Sequence, residues 1–345
     1  MGNKIVILSV VLPAYNGEKY IADMLSDVYE QSFNNYELIV INDGSKDNTL
    51  DICNDFADKN SHIRLFSQDN QGISNTRNRG LSLANGKYLI FLDQDDRISH
   101  EMFGELVEKM ENEQSDMLIS SKEYYITNKS GQIEKKSYPF DHYAYEEDSN
   151  INDLIFNIER KNELSTIWNC IYKLQIIRNN DIQFDSVLKM GGEDGLFNSI
   201  YASKCKKINT IPNSYYYYQL RDGFSTISKY NRNCLDDYMY SENIINNIMK
   251  YRMPKDKLEK YMAYYSIRAI KTIYKHYNSH AQLDSYKKKS LIIKLYNDDK
   301  LNYYMKKDYK IIKTNSYKYD IYIRILVYLF RRKNYGLLLK IIEII

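Results

Sequence analysis

The sequence predicts an α/β fold, a mostly parallel sheet flanked by helices. Three observations carry that expectation. Strand-like and helix-like segments alternate over the first 120 residues. The first apolar run, Ile5 to Leu12, is continuous and β-branched, as in a strand buried on both faces. Polar clusters follow the apolar runs at their carboxyl ends, where sheets of this kind bind ligands.

Residues 17–31 read as a helix with Asn16 as its N-cap. Tyr36–Ile41 forms the second strand, and residues 47–59 a helix started by Ser45. A short strand at Ile63–Phe66 precedes a helix over 72–84 that stops near Asn85-Gly86. Tyr88–Leu92 and Met117–Ser120 are the fourth and fifth strands. Residues 121–165 are poorly patterned, and 166–220 look like a second part of the same domain. From about 231 the chain reads as a helical, basic, Tyr-rich extension. The expected division is one domain over 1–230, in parts 1–120 and 121–230, and a second region over 231–345.

The chain has 345 residues, 43% hydrophobic and 27% charged, enough for a substantial core. Its net charge of +3 conceals an asymmetry. Residues 1–230 hold 24 Lys and Arg against 34 Asp and Glu, while 231–345 hold 24 against 11. The acidic front half disfavours nucleic acid as its partner, and the basic rear half suits an anionic surface, a membrane or a polyanionic polymer. Cys53, Cys170, Cys205 and Cys234 form no CxxC pair and read as reduced thiols of a cytoplasmic protein. The apolar start runs straight into Pro13-Ala14-Tyr15-Asn16 with no small-residue cleavage pattern, so it reads as a strand rather than a leader. Val6 stands where myristoylation needs Ser or Thr. No run reaches the roughly 18 apolar residues that span a bilayer.

Five clusters can carry chemistry. In Phe91-Leu92-Asp93-Gln94-Asp95-Asp96, three carboxylates crowd the end of an apolar strand. Such crowding is costly without a cation, and hard oxygen ligands suit Mg²⁺ or Mn²⁺. A solvated acidic turn would look similar; the strand before it favours metal. Asn42-Asp43-Gly44-Ser45 puts a carboxylate at a strand end, where a plain turn is the competing reading. Asp69 to Gly80 places Gly72, Arg77 and Asn78 around the first turns of a helix, whose amino end favours anions. Gly191-Gly192-Glu193-Asp194-Gly195 presents two acids between glycines, as a general base or as a capped helix start. Tyr215 to Ser225 carries Arg221 and Ser225, able to hold phosphate oxygens or to lie in a surface loop. His276 and His280 stand four apart without further ligands.

Together these strings resemble glycosyltransferase family 2. The resemblance covers about residues 7–230 and is strongest over 8–98. It rests on Ser9 to Asn16, Asn42 to Asp47, Asn70-Gln71-Gly72 with Arg77-Asn78, Phe91 to Asp96, and Gly192-Glu193-Asp194. It implies a GT-A fold, with nucleotide binding in 1–120, acceptor binding in 121–230, and an inverting transfer from a UDP-sugar. The donor site would comprise Pro13, Ala14, Tyr15, Asn16, Asp43, Gly72, Arg77, Asn78, Asp93, Gln94, Asp95, Trp168, Arg221 and Ser225, with Asp43 on the uracil ring. Asp93, Asp95 and Asp96 would hold the divalent cation. Asp194 would be the catalytic base, supported by Glu193. Two departures stand out: Cys170 follows Trp168-Asn169 where the family often has Lys, and Gln219 follows Tyr218 where it often has Arg.

The resemblance also implies a saccharide or lipid-linked saccharide acceptor for a cell-surface polysaccharide. It leaves room for a homo-oligomer. Residues 319–345, apolar with Arg331-Arg332-Lys333, suit either peripheral contact with the cytoplasmic face of an anionic membrane or a helical subdomain with a basic side. A dehydrogenase is excluded because no GxGxxG follows the first strand. A nucleotidyltransferase would show a Gly-rich phosphate loop where Pro13 to Glu18 stands. A non-catalytic carbohydrate-binding protein of the same fold stays open, with the acids at 93, 95 and 194 against it.

Overall fold

Every residue of β1 (Leu8–Ala14) is buried, as its continuous apolar run demands. After it come α1 (Ile21–Tyr29), the equally buried β2 (Tyr36–Asn42), α2 (Thr49–Lys59), β3 (Ile63–Ser67), α3 (Ile73–Leu83) and β4 (Tyr88–Phe91). Then follow β5 (Arg97–Ile98), α4 (Met102–Glu113), β6 (Met117–Ser120), β7 (Lys122–Thr127), β8 (Ile133–Tyr138) and β9 (Tyr143–Glu146). A 3₁₀ turn (Glu163–Ser165) leads to β10 (Cys170–Lys173), α5 (Leu174–Asn179), α6 (Glu193–Ala202), β11 (Lys207–Ile211), β12 (Tyr216–Arg221) and α7 (Cys234–Met249). The computed structural model describes residues 5–128, 130–140, 142–146, 163–188, 191–221 and 234–259, with isolated positions from 261 to 337.

An eight-stranded sheet has the order β3-β2-β1-β4-β10-β6-β11-β9. Its first four strands are parallel, while β10 runs antiparallel to both β4 and β6. A second sheet has the order β5-β12-β7-β8. Neither β10 nor this second sheet was expected from the sequence. Every residue of β8 is exposed, so it shows none of the apolar alternation by which a strand is read.

The parallel half is close-packed. A Cβ on Gly80 of α3 would strike Val11 of β1, so helix and strand touch only because residue 80 has no side chain. Buried Glu37 on β2 accepts hydrogen bonds from Ser9 Oγ (2.7 Å) and the Asn85 amide (2.6 Å), and pairs with Arg64 (2.5 Å). This joins three neighbouring segments and fixes their register.

Two helix starts differ from expectation. Asn16 adopts a left-handed φ of 47° and does not cap; α1 begins at Ile21. Its Oδ1 instead accepts from the Lys46 amide at 2.8 Å, and Ser45 Oγ accepts from the Asn16 amide at 3.1 Å. Consequently Ser45 does not start α2 either; Asp47 Oδ1 accepts from the Thr49 amide at 3.1 Å. The two loops satisfy each other rather than their own helices.

Two compact units divide the chain, one of residues 1–155 and 163–225, the other of 156–162 and 226–345. All the strands belong to the first, and α7 to the second. The four cysteines, all among the described residues, form no disulfide. Among the described residues no helix is long and apolar enough to cross a membrane. Ser225, His276, His280 and most of 319–345 lie outside the described residues.

Candidate active site

β1, β2 and β4 run parallel and end side by side, so the polar segments after them meet. β1 pairs with β4 only as far as Val11, which leaves buried Pro13 beyond β4's pairing, where its missing N–H costs little. Ala14 is 1% exposed and its carbonyl accepts from the Asp43 amide at 2.8 Å. Tyr15 is exposed, and Gln94 grips its backbone twice. Nε2 of Gln94 donates to the Tyr15 carbonyl at 2.8 Å, and its Oε1 accepts from the Tyr15 amide at 3.0 Å. A Cβ at Gly17 would collide with the Gln94 amide and displace it from the Tyr15 backbone.

Asp43, at the end of β2, is 4% exposed. Its Oδ1 accepts from Gln68 Nε2 (2.7 Å) and the Gln71 amide (2.9 Å), and its Oδ2 from the Gly72 amide (2.9 Å). Asp43 therefore builds the turn that opens α3, where Gly72 holds φ at 83°. One acceptor position on Oδ2 is left for a ligand.

Arg77 lies on the buried face of α3, 3% exposed. Its Nη1 donates to Asp194 Oδ1 at 2.7 Å and to Glu193 Oε1 at 3.1 Å, and its Nη2 to Asp93 Oδ1 at 3.1 Å. The guanidinium also sits 5.3 Å from the Phe184 ring centroid. One cation thus joins the end of β4 to the first turn of α6. That turn is entered through Gly191 and Gly192, both at positive φ (110° and 92°), where a side chain would be strained.

The charges do not balance: one guanidinium faces three carboxylates. Burial works against the charge on Arg77, but Asp194, Asp93 and Glu193 more than offset it and raise its pKa. Burial pushes the Asp194 carboxyl well above the usual range; Arg77 pulls it back, and Glu193 and Asp93 raise it again. Arg77 Nε and Glu193 Oε2 are buried without a hydrogen-bond partner.

The acids after β4 divide. Asp96 is 2% exposed and both its oxygens are engaged by β12, Oδ2 by the Tyr216 hydroxyl and Oδ1 by the Gln219 amide, each at 2.7 Å. Burial, then Asp95 and Asp93, raise its pKa well above normal. Asp95 lies on the surface, yet crowding around its carboxyl, followed by the Asp93 charge, raises it as well, with Arg221 opposing. Arg221 Nη1 donates to the Asp95 carbonyl at 2.7 Å, and its guanidinium lies 4.2 Å from the Tyr20 ring centroid.

Five of the expected site residues meet protein partners in this geometry. Arg77 faces three carboxylates rather than a nucleotide, because residue 77 falls on the face of α3 turned to the protein interior. Asn78 exchanges two 2.8 Å bonds with the Phe184 backbone, one from its Nδ2 and one to its Oδ1. Trp168 is 3% exposed and stacked on Tyr216 at 4.5 Å, so it supports the site from behind. Asp93 and Asp96 do not join Asp95 in a metal cage; among the described residues no three acid, His or Cys groups gather to hold a metal. A divalent cation still fits at Asp95 alone, because Mg²⁺-type phosphate sites use one or two carboxylates and complete the shell with phosphate and water.

Tyr216, Gln68, Phe184 and Tyr20 were missed. Tyr216 stands in a run of four tyrosines, and only the alternation of β12 shows which of them face together.

Residues 9–179 match the family described as Glycosyl transferase family 2. The chain belongs to glycosyltransferase family 2. It is 31% identical over 215 residues to the cholesterol galactosyltransferase of Borreliella burgdorferi, covering 61% of this chain and 59% of that one. Glycosyltransferase GlyA of Streptococcus pneumoniae serotype 4 is 31% identical over 220 residues, 63% of this chain and 31% of that one. The chain therefore spans less than two thirds of either relative. The structure of S. aureus TarS 1-349 in complex with UDP-GlcNAc superposes with a TM-score of 0.66 at 22% identity, covering 98% of this chain and 90% of that one. At that identity the likeness establishes the fold, which is GT-A.

Proposed function

We propose that this family member is an inverting glycosyltransferase that moves a sugar from a nucleoside diphosphate to an acceptor hydroxyl. One observation carries the reading: Arg77 holds Asp194 and Asp93 on a single guanidinium. A candidate base is thereby set beside the acids at the end of β4, where a GT-A sheet receives its donor.

The roles follow from position. Pro13 and Ala14 shape the end of β1, while Tyr15 offers an exposed ring and Asp43 one acceptor to the base of the nucleotide. Gln94 fixes the Tyr15 backbone, and Asn16 and Gly72 shape the adjoining loops. Asp95 is the protein ligand for a divalent cation, which when bound would neutralise charge on the departing diphosphate. Arg221, beside it, contributes a second positive charge; Ser225, four residues on, is assigned to the same phosphates from sequence alone. Asp194 takes the acceptor proton, and its raised pKa suits a base that must release that proton again. Glu193 and Arg77 set its charge and orientation. Direct displacement with this base inverts the anomeric centre.

For the nucleotide, UDP is favoured by the solved TarS complex with UDP-GlcNAc and by the Asp43 position. For the acceptor, the family resemblance favours a saccharide or lipid-linked saccharide. A panel of UDP-sugars, each incubated with the protein and Mn²⁺ and assayed for released UDP, tests the reading. Release from at least one donor is expected, and release from none across UDP-, GDP- and dTDP-sugars contradicts it.

A further inference from the structure

Tyr216 touches two of the three acidic positions after β4. Its hydroxyl oxygen accepts from the Asp93 amide at 3.1 Å and its proton goes to Asp96 Oδ2 at 2.7 Å. The second oxygen of Asp96 accepts from the Gln219 amide. Asp96 thus clamps β12 at two points, residues 216 and 219, with one bond to each of its carboxylate oxygens. The tyrosine cannot swing away. Its ring is fully buried and lies parallel to Trp168, with centroids 4.5 Å apart and planes inclined by 17°.

The clamp has a consequence further along the strand. Period-two alternation puts Gln219 and Arg221 on one face of β12. With the 219 amide fixed on Asp96, the 221 side chain is delivered to the Asp95 carbonyl and over the Tyr20 ring. On one side β12 is held only near its start. Its neighbour β5 spans only Arg97–Ile98 and pairs with residues 216 and 217, short of Arg221. On the other side β7 continues to Thr127, opposite Arg221, and is itself flanked by the exposed β8.

We propose that Tyr216 and Asp96 form a positioning pair that sets Arg221 against Asp95 and so tunes affinity for the donor's diphosphate. Asp96 acts through β12 and Tyr216, not as a metal ligand. The inference rests on the proposed donor site but adds to it two residues that never touch the donor.

Binding of UDP with Mn²⁺ to the full chain, measured by calorimetry, tests it without requiring turnover. Tyr216→Phe removes one oxygen and keeps the ring on Trp168. It should weaken UDP about tenfold, as expected for loss of a bond to a charged group. Asp96→Asn gives a second route to the same result should the first variant fold poorly. The decisive arm is Arg221→Ala. If the pair works through Arg221, Tyr216→Phe on that background adds less than twofold, whereas a merely structural tyrosine gives the same factor on both backgrounds. Unchanged binding in Tyr216→Phe and Asp96→Asn, or full additivity with Arg221→Ala, overturns the inference. Failure of the parent protein to bind UDP overturns the donor-site reading itself.

Discussion

Arg77 Nη1 lies 2.7 Å from Asp194 Oδ1, a bond between residues 117 apart in sequence. The Arg77 side chain is 4% exposed and that of Asp194 18%, so the pair is shielded from bulk water. Both termini of the bond are helical: Arg77 is in α3, and Asp194 in the first turn of α6. The relative placement of those helices is therefore what the site depends on.

Removing Arg77 leaves Asp93, Glu193 and Asp194 without their shared cation. Arg77→Met should cost about 3–5 kcal/mol of stability, the range for breaking a buried ion pair from one side. Urea denaturation measures this; an unchanged midpoint would show that the acids do not rely on the guanidinium.

Glu37 predicts a pH dependence. Burial disfavours its charge, but hydrogen bonds from Ser9 and the Asn85 amide, with Arg64, outweigh burial and lower its pKa from 4.5. Below that value the unfolded chain binds the proton before the native one does. Stability from Glu37 is thus present above pH 4.5 and is lost as the pH falls through the lower native value. Thermal melts of Glu37→Gln between pH 3 and 7 should show a flatter acid limb than the parent; parallel limbs would reject the assignment.

Gly80 is where α3 touches β1. Gly80→Ala forces a methyl into Val11, and overpacking of this kind costs about 1–3 kcal/mol. Denaturation with guanidinium chloride reads the loss directly. A variant as stable as the parent would mean that helix and strand have slack between them.

Asp95 is the metal prediction. With both oxygens of Asp96 bonded to β12 and one oxygen of Asp93 to Arg77, Asp95→Asn should abolish the difference between UDP binding in Mn²⁺ and in EDTA. Persistence of that difference would place the cation elsewhere.

The sequence discloses the parallel half of the fold well, because β1, β2 and β4 are buried throughout and read as largely apolar runs. It conceals β8, whose residues all face solvent, and β10, a four-residue strand inserted antiparallel between β4 and β6. The strings at 42–45, 91–96 and 191–195 were legible because strand ends and glycines frame them. The side-chain partners were not. Asp43 accepting the Gly72 amide and Asp96 accepting the Tyr216 hydroxyl are long-range bonds that no local pattern encodes. Arg77 illustrates the same limit: a cation on a helix suggested an anionic ligand, and the fold supplied three protein carboxylates instead.

Asp194 is proposed as the base beside a donor site. Turnover and UDP affinity of Asp194→Asn, measured together on the full chain with a donor that the parent protein uses, test it most directly. UDP binding should stay within about twofold of the parent while transfer falls by about 10²–10⁴-fold, the contribution of a general base. Near-normal transfer with intact binding would contradict it.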